Sequence, residues 1–121
     1  MQKKAAVDIG SNSIRYLGPN GERRLITTRL AENIISTGKL SDAAIERSIA
    51  ALKELAALAA AQGAKPYAYA TSAVRDAKFG SRERFLALAG EIMPVRVLSG
   101  EEEATFARIG AGIADKPDWG L

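Results

Sequence analysis

The sequence predicts an α/β fold, a mixed sheet with helices packed on its faces, in the chain order β-β-β-α-β-α-β-α. Three observations predict it. The chain opens with short apolar runs separated by glycine, proline and asparagine, the pattern of a strand meander. Two segments with apolar residues at helical spacing follow, each introduced by a serine. Between and after those segments lie further short apolar runs, the alternation that builds parallel strands joined by crossover helices.

Taken in order, Ala5-Ala6-Val7-Asp8-Ile9 reads as a short buried strand closed by Gly10, and Ser13 to Leu17 as a second strand. Gly18-Pro19-Asn20-Gly21 supplies turn chemistry, with Asn-Gly favouring positive φ, so a hairpin leads into a third strand, Arg23 to Leu30. Ala31 to Leu40, containing Gly38, reads as irregular. Ser41 is a fitting N-cap for a helix in which Ile45, Ile49, Leu52, Ala56 and Ala59 share a face that Leu55 and Leu58 widen. Gly63 ends that helix at the position where glycine is favoured. Tyr67 to Thr71 is the next strand. Ser81 is expected to cap a second helix through Phe85, Leu86 and Leu88 towards Met93, and Pro94 stops it. Val95 to Leu98 is another strand, and a third helix is expected from just after Gly100 to about Ala114. Lys116-Pro117 then reads as a turn and Asp118-Trp119-Gly120-Leu121 as the approach to a further strand.

Composition narrows the chemistry. A chain of 121 residues suits one domain or part of a larger one, and 47% hydrophobic residues suffice for a core. There is no cysteine and no histidine, so disulfides, thiolate nucleophiles, Cys/His zinc sites and a Ser-His-Asp triad are all excluded within the chain. Any catalysis must draw on carboxylates, hydroxyls, Lys and Arg or backbone amides, with a hard, oxygen-liganded metal as an option. Lys and Arg number 17 against 14 acids, a formal charge of +3 spread without a dense block. That balance helps anionic ligands approach without pointing to nucleic acid. The Ala/Leu-rich stretch from Ala50 to Ala61 carries Lys53 and Glu54, and no apolar run reaches spanning length, so no membrane partner is expected. Met1-Gln2-Lys3-Lys4 leads straight into a strand-like segment rather than a signal peptide, which makes the cytoplasm the expected compartment.

Three polar segments could carry chemistry. In Asp8-Ile9-Gly10-Ser11-Asn12-Ser13, an acid near a strand end precedes a turn in which Gly10 permits close backbone approach. The N–H groups that follow can form an anion nest, the side chains of Ser11, Asn12 and Ser13 add donors, and Asp8 could hold Mg²⁺ through water. The alternative is a hairpin turn whose polar residues satisfy one another. In Ala70-Thr71-Ser72-Ala73-Val74-Arg75-Asp76, Arg75 could bind phosphate through paired N–H bonds beside the small donors Thr71 and Ser72. The alternative is that Arg75 and Asp76 are solvated loop charges, with a role in capping the next helix. In Ser99-Gly100-Glu101-Glu102-Glu103-Ala104, three acids suit the first turn of a helix, while a glutamate at the sheet's ligand edge could position or deprotonate a water.

Together, and in this order, Asp8-Ile9-Gly10-Ser11-Asn12-Ser13-Ile14-Arg15, Ala70 to Ala77 and Ser99 to Ala104 resemble the exopolyphosphatase/guanosine pentaphosphate phosphatase (Ppx/GppA) family. Arg29-Leu30-Ala31-Glu32 followed by Thr37-Gly38-Lys39-Leu40-Ser41 is similar to that family's Arg-Leu-Gly-Glu loop and helix entry, with Ala31 in place of the glycine. The resemblance implies a ribonuclease-H-like half of the actin/Hsp70/sugar-kinase (ASKHA) fold. It implies that Asn12, Ser13 and Arg75 bind phosphate, that Glu103, which directly precedes the alanine, is the catalytic residue acting on water, and that Asp8 lies near Mg²⁺. It implies hydrolysis of terminal phosphate from polyphosphate or guanosine pentaphosphate, with guanosine tetraphosphate as a further possible ligand.

That family's second phosphate loop, Asp-x-Gly-Gly-Gly-Ser, should follow shortly after Leu121, and its second half-domain should come later. The expectation is therefore an N-terminal subdomain over residues 1–121, truncated before the second loop and inactive alone, with self-association as a homodimer possible through exposed apolar surface. Three alternatives stand beside the hydrolase: a non-catalytic module binding polyphosphate or guanosine tetraphosphate, a ribonuclease-H-type nuclease, and a kinase of the same superfamily. The nuclease needs clustered carboxylates for two metals, and Asp8 lacks clear acidic companions on neighbouring strands. The Thr-Ser-Ala-Val-Arg and Ser-Gly-Glu-Glu-Glu-Ala segments favour the phosphatase over the kinase.

Overall fold

Turn residues fold the first part of the chain into a three-stranded antiparallel meander, β1 (Lys3–Ile9), β2 (Ser13–Leu17) and β3 (Arg23–Thr27). The computed structural model describes residues 3–102 and Ala104. The β2–β3 turn closes through Gly18 N–H to the Glu22 carbonyl at 2.7 Å, and Gly21 takes φ +90°, which only glycine adopts cheaply. After the meander come α1 (Ile34–Thr37), α2 (Asp42–Ala61), β4 (Ala64–Ala70), α3 (Ser72–Arg75), α4 (Ser81–Gly90) and β5 (Val95–Val97). Gly100 to Glu102 and Ala104 are helical, so the third long helix expected from the sequence begins where anticipated, and the rest of it lies outside the described residues. So does the expected strand approach at residues 118–121.

The five strands form one mixed sheet in the order β3-β2-β1-β4-β5. β1 pairs antiparallel with β2 and parallel with β4, and β4 pairs parallel with β5. One sheet face carries Ala5, Val7 and Ile9, Ile14 and Tyr16, and Ala64, Ala68 and Ala70, all buried in the core against Ile45, Leu52, Leu55 and Ala59 of α2 and Phe85 and Ala89 of α4. Burying each of the large apolar side chains in that set stabilises the fold by roughly 1.5–3 kcal/mol. Ser41 caps α2 as expected, its hydroxyl accepting the Ala44 N–H at 3.1 Å. At the other end Gly63 takes φ +68°, and Gln62 Oε1 accepts the Tyr16 hydroxyl at 2.6 Å, tying the helix end to β2.

Several boundaries differ from the sequence reading. The third strand stops at Thr27, not Leu30, because Thr28 and Arg29 turn their N–H groups onto the Asn12 carbonyl and Arg29 adopts φ +49°. Two single-turn helices, α1 and α3, occupy stretches without apolar periodicity long enough to reveal them. The fourth strand starts at Ala64 rather than Tyr67, running through Pro66. Ala68 N–H donates to Pro94 at 2.9 Å on the β5 side, so by alternation Pro66 lacks its N–H on that same side, where β5 does not yet pair. The second long helix ends at Gly90 rather than near Met93.

Ser81 does not cap it. Gly80 is the N-cap residue, and the Ser81 hydroxyl donates to the Lys78 carbonyl at 2.7 Å while accepting the buried Leu40 N–H at 3.1 Å, pinning the segment before α2. Among the described residues, no helix is long and apolar enough to cross a membrane.

Candidate phosphate-binding edge

One register line crosses the parallel part of the sheet through Ile9, Ala70 and Val97. The chain leaves the sheet on the same side immediately after each of them, at Gly10, Thr71 and Leu98. Adjacent strands lie about 4.8 Å apart, so these exits span roughly 10 Å of one edge. This is the edge beyond the carboxyl ends of parallel strands where α/β folds bind ligands. The three polar segments singled out from the sequence are therefore brought together by topology.

The first exit is a tight turn. Gly10 N–H donates to the Ser13 carbonyl at 3.0 Å, and a Cβ on residue 10 would sit 2.9 Å from that same backbone oxygen. Only glycine fits without a shift. Ser11 and Asn12 are exposed at the tip and Ser13 is half-buried, with Asn12 Nδ2 3.4 Å from Ser13 Oγ. Carbonyl oxygens face the loop after β3: Asn12 accepts from Thr28 and Arg29 N–H, and Ser11 accepts from Ala31 N–H at 3.0 Å. That loop is held in turn by α2, whose Arg47 donates to the carbonyls of Thr28 at 2.9 Å and Arg29 at 3.3 Å and pairs with Glu32 at 2.9 Å. Ala31, at the position where the resembled loop has glycine, contributes its backbone N–H to the turn, a role any residue but proline can fill. Asp8 lies one residue before the register line, half-buried, opposite Arg15 on β2 and Tyr69 on β4.

At the second exit the Thr71 carbonyl accepts the N–H groups of Val74 and Arg75, winding α3 directly off the strand. Thr71 and Ser72 are half-buried at its start. Arg75 Nη1 donates to the Leu98 carbonyl at 3.0 Å, and its Nε lies 3.4 Å from Asp76 Oδ1. Its side chain is 26% exposed, so Arg75 is no solvated loop charge, and the guanidinium joins the second exit to the third. Asp76 closes α3 as its C-cap residue rather than capping α4.

At the third exit Ser99 and Glu102 form a reciprocal capping box. Ser99 Oγ accepts Glu102 N–H at 3.0 Å, and Glu102 Oε1 accepts Ser99 N–H at 3.1 Å. Glu102 also pairs with Arg96. The Ser99 N–H holds the Glu102 carboxyl below the ordinary glutamate range, desolvation opposes this, and Arg96 adds to the lowering. Glu102 is thus occupied in starting the helix. Glu101 is exposed, and Glu103, the expected catalytic residue, lies outside the described residues.

Two of these features escaped the sequence reading. The Ser-x-x-Glu spacing of the capping box was visible at Ser99 and Glu102 and was passed over for the three-acid run. Arg47 left no local signal, because its partners lie 15 to 19 residues upstream. What the edge offers chemically is hydroxyls, a side-chain amide, a turn only glycine can make and a fixed guanidinium, a set suited to phosphate oxygens. Among the described residues no three His, Cys, Asp or Glu side chains gather to hold a metal. The donor set fits Mg²⁺ only as that ion is held in phosphate sites, by one carboxylate, water and the substrate's own oxygens.

The profile of the Ppx/GppA phosphatase family matches residues 21–115. No curated protein matches the chain. Among solved structures, a Ppx/GppA family member from Aquifex aeolicus is 30% identical, with a TM-score of 0.77 over 91% of this chain and 39% of its own. An exopolyphosphatase-like protein is 31% identical, with a TM-score of 0.76 over 87% of this chain and 35% of its own. An exopolyphosphatase from Cytophaga hutchinsonii, 21% identical with a TM-score of 0.77, shares the fold. The chain thus spans between 35% and 39% of the length of these proteins.

Proposed function

The chain belongs to the Ppx/GppA phosphatase family, and from that membership we propose that it forms the N-terminal part of a hydrolase releasing terminal phosphate from inorganic polyphosphate or guanosine pentaphosphate. The observation that carries the reading is the shared register line, which sets the turns after Ile9, Ala70 and Val97 side by side on one sheet edge.

In this reading the Gly10–Ser13 turn, with the side chains of Ser11, Asn12 and Ser13, and the group Thr71, Ser72 and Arg75 grip the oxygens of the terminal phosphoryl group. Glu103 accepts a proton from the attacking water as its oxygen bonds to phosphorus. The bridging P–O bond breaks, orthophosphate leaves, and the substrate is shortened by one phosphate. Positioning and charge stabilisation supply most of the rate in such a transfer, and the anchoring of Arg75 on Leu98 supports this reading. Asp8 is the residue that would hold Mg²⁺ through water, and bound Mg²⁺ would offset the charge on the phosphate chain.

The test is Glu103→Ala in the full-length protein, assayed by orthophosphate release from polyphosphate and from guanosine pentaphosphate. Loss of a positioned general base should lower turnover by about 100-fold or more. Turnover within a few-fold of the parent on either substrate sinks the assignment of Glu103.

A further inference from the structure

Phe79 is a bulky aromatic residue in a conformation that suits glycine or asparagine. Its φ is +59°, yet the residue is 80% exposed, so the unfavourable backbone is not offset by burial. The position is nevertheless fixed. Lys78 N–H donates to the Gly38 carbonyl at 2.8 Å, and the Phe79 ring edge lies 3.4 Å from where a Cβ on Gly38 would stand. The ring lies beside Gly38 at the end of α1 while its remaining surface stays open. Exposed Lys78 precedes Phe79, exposed Lys39 follows Gly38, and Phe79 comes four residues after Arg75 in the segment that leaves β4. Gly38 lies just beyond α1, and the loop before α1 holds the Ser11 and Asn12 carbonyls through the N–H groups of Ala31, Thr28 and Arg29. Phe79 therefore stands where the segments leaving β3 and β4 meet, at the Lys78–Gly38 hydrogen bond.

We propose that Phe79 is a stacking platform for the base of a nucleoside polyphosphate, with the phosphates running past Lys78 and Lys39 towards Arg75 and the Gly10–Ser13 turn. Inorganic polyphosphate has no π-face, so an exposed ring offers it nothing, whereas a purine gains a stacking surface. The inference rests on the phosphatase reading above and selects the guanosine polyphosphates within it. Phe79 here determines specificity and takes no part in bond breaking.

The experiment compares the full-length protein with its Phe79→Asn and Phe79→Trp variants, titrated calorimetrically with guanosine tetraphosphate and with inorganic tripolyphosphate. Losing one base–aromatic stack should weaken guanosine tetraphosphate binding about tenfold in Phe79→Asn, leave tripolyphosphate within about twofold, and spare both ligands in Phe79→Trp. Asparagine tolerates positive φ, so the melting temperature of Phe79→Asn should hold or rise, which separates stacking from folding. Unchanged guanosine tetraphosphate affinity in Phe79→Asn overturns the proposal, as does an equal loss for both ligands. Parent protein that binds tripolyphosphate but not guanosine tetraphosphate overturns it alone. Parent protein that binds neither overturns the phosphatase reading together with it.

Discussion

Arg75 and Leu98 are joined by a 3.0 Å hydrogen bond from the guanidinium Nη1 to the backbone carbonyl, across 23 residues of chain. The bond links the helix leaving β4 to the segment leaving β5, so the orientation of a charged side chain and the path of the next loop are fixed together. An arginine held in this way meets an anion with little further loss of side-chain freedom.

Arg75→Ala should therefore act twice. Thermal or urea unfolding should show a loss of about 1–2 kcal/mol, because the Leu98 carbonyl loses a charged donor. Phosphate-chain binding, measured by calorimetry, should weaken by at least about tenfold. Arg75→Lys should recover part of the stability and little of the affinity, since an ammonium cannot serve the carbonyl and a phosphate through a planar fork. Affinity retained in both variants would contradict a ligand role for this residue.

Gly10→Ala places a Cβ 2.9 Å from the Ser13 carbonyl oxygen, and both the obstructing atom and its neighbours are backbone. The turn must open. A loss of about 1–3 kcal/mol in unfolding free energy is expected, as for other overpacked sites, with weaker phosphate binding beyond what the stability change explains. Binding measured well below the melting transition separates the two effects.

Glu102 and Glu22 make stability depend on acidity. Both carboxyls are held below the ordinary glutamate value, Glu102 chiefly by the Ser99 N–H and Glu22 chiefly by its own N–H and that of Asn20. A carboxyl with a depressed folded value stabilises the protein above its unfolded value, about 4.3, and that contribution disappears as pH falls through the folded value. Melting temperature should thus be flat near neutrality and fall below about pH 4.5, with a shallower fall in Glu102→Gln and in Glu22→Gln. In the full-length protein Glu102→Gln should leave turnover within about threefold at neutral pH, because a helix-starting residue acts on stability rather than on the reacting atoms. A large loss of turnover would move the catalytic role to Glu102.

Much of the architecture was legible because it follows from local chemistry. The Ser41 cap, the apolar stripe from Ile45 to Ala59, the glycine after α2 and the turn at Gly21 each have a cause within a few residues of where they act. The placement of the polar segments was legible for a different reason, since each follows a strand and parallel strands end on a common edge. What was missed depends on partners distant in sequence. Ser81 resembles a cap in isolation, but a buried N–H at Leu40, 41 residues away, takes its hydroxyl instead. Arg47 reads as one solvated helix charge, and only the folded loop shows it to be the brace behind Ser11 and Asn12. Pro66 argues against a strand until the pairing shows β5 beginning too late to need its N–H.

The mixed pairing of β1 has a consequence in time as well as in space. Its antiparallel partner β2 is reached through a short turn, whereas its parallel partner β4 lies beyond β3, α1 and the whole of α2. During synthesis the hairpin bearing Gly10 to Ser13 can form early, while its alignment with Thr71 and Arg75 waits for a pairing that closes a long loop. The shared edge is then completed after the hairpin, and a weakened variant should lose that alignment while its helix content is still largely intact.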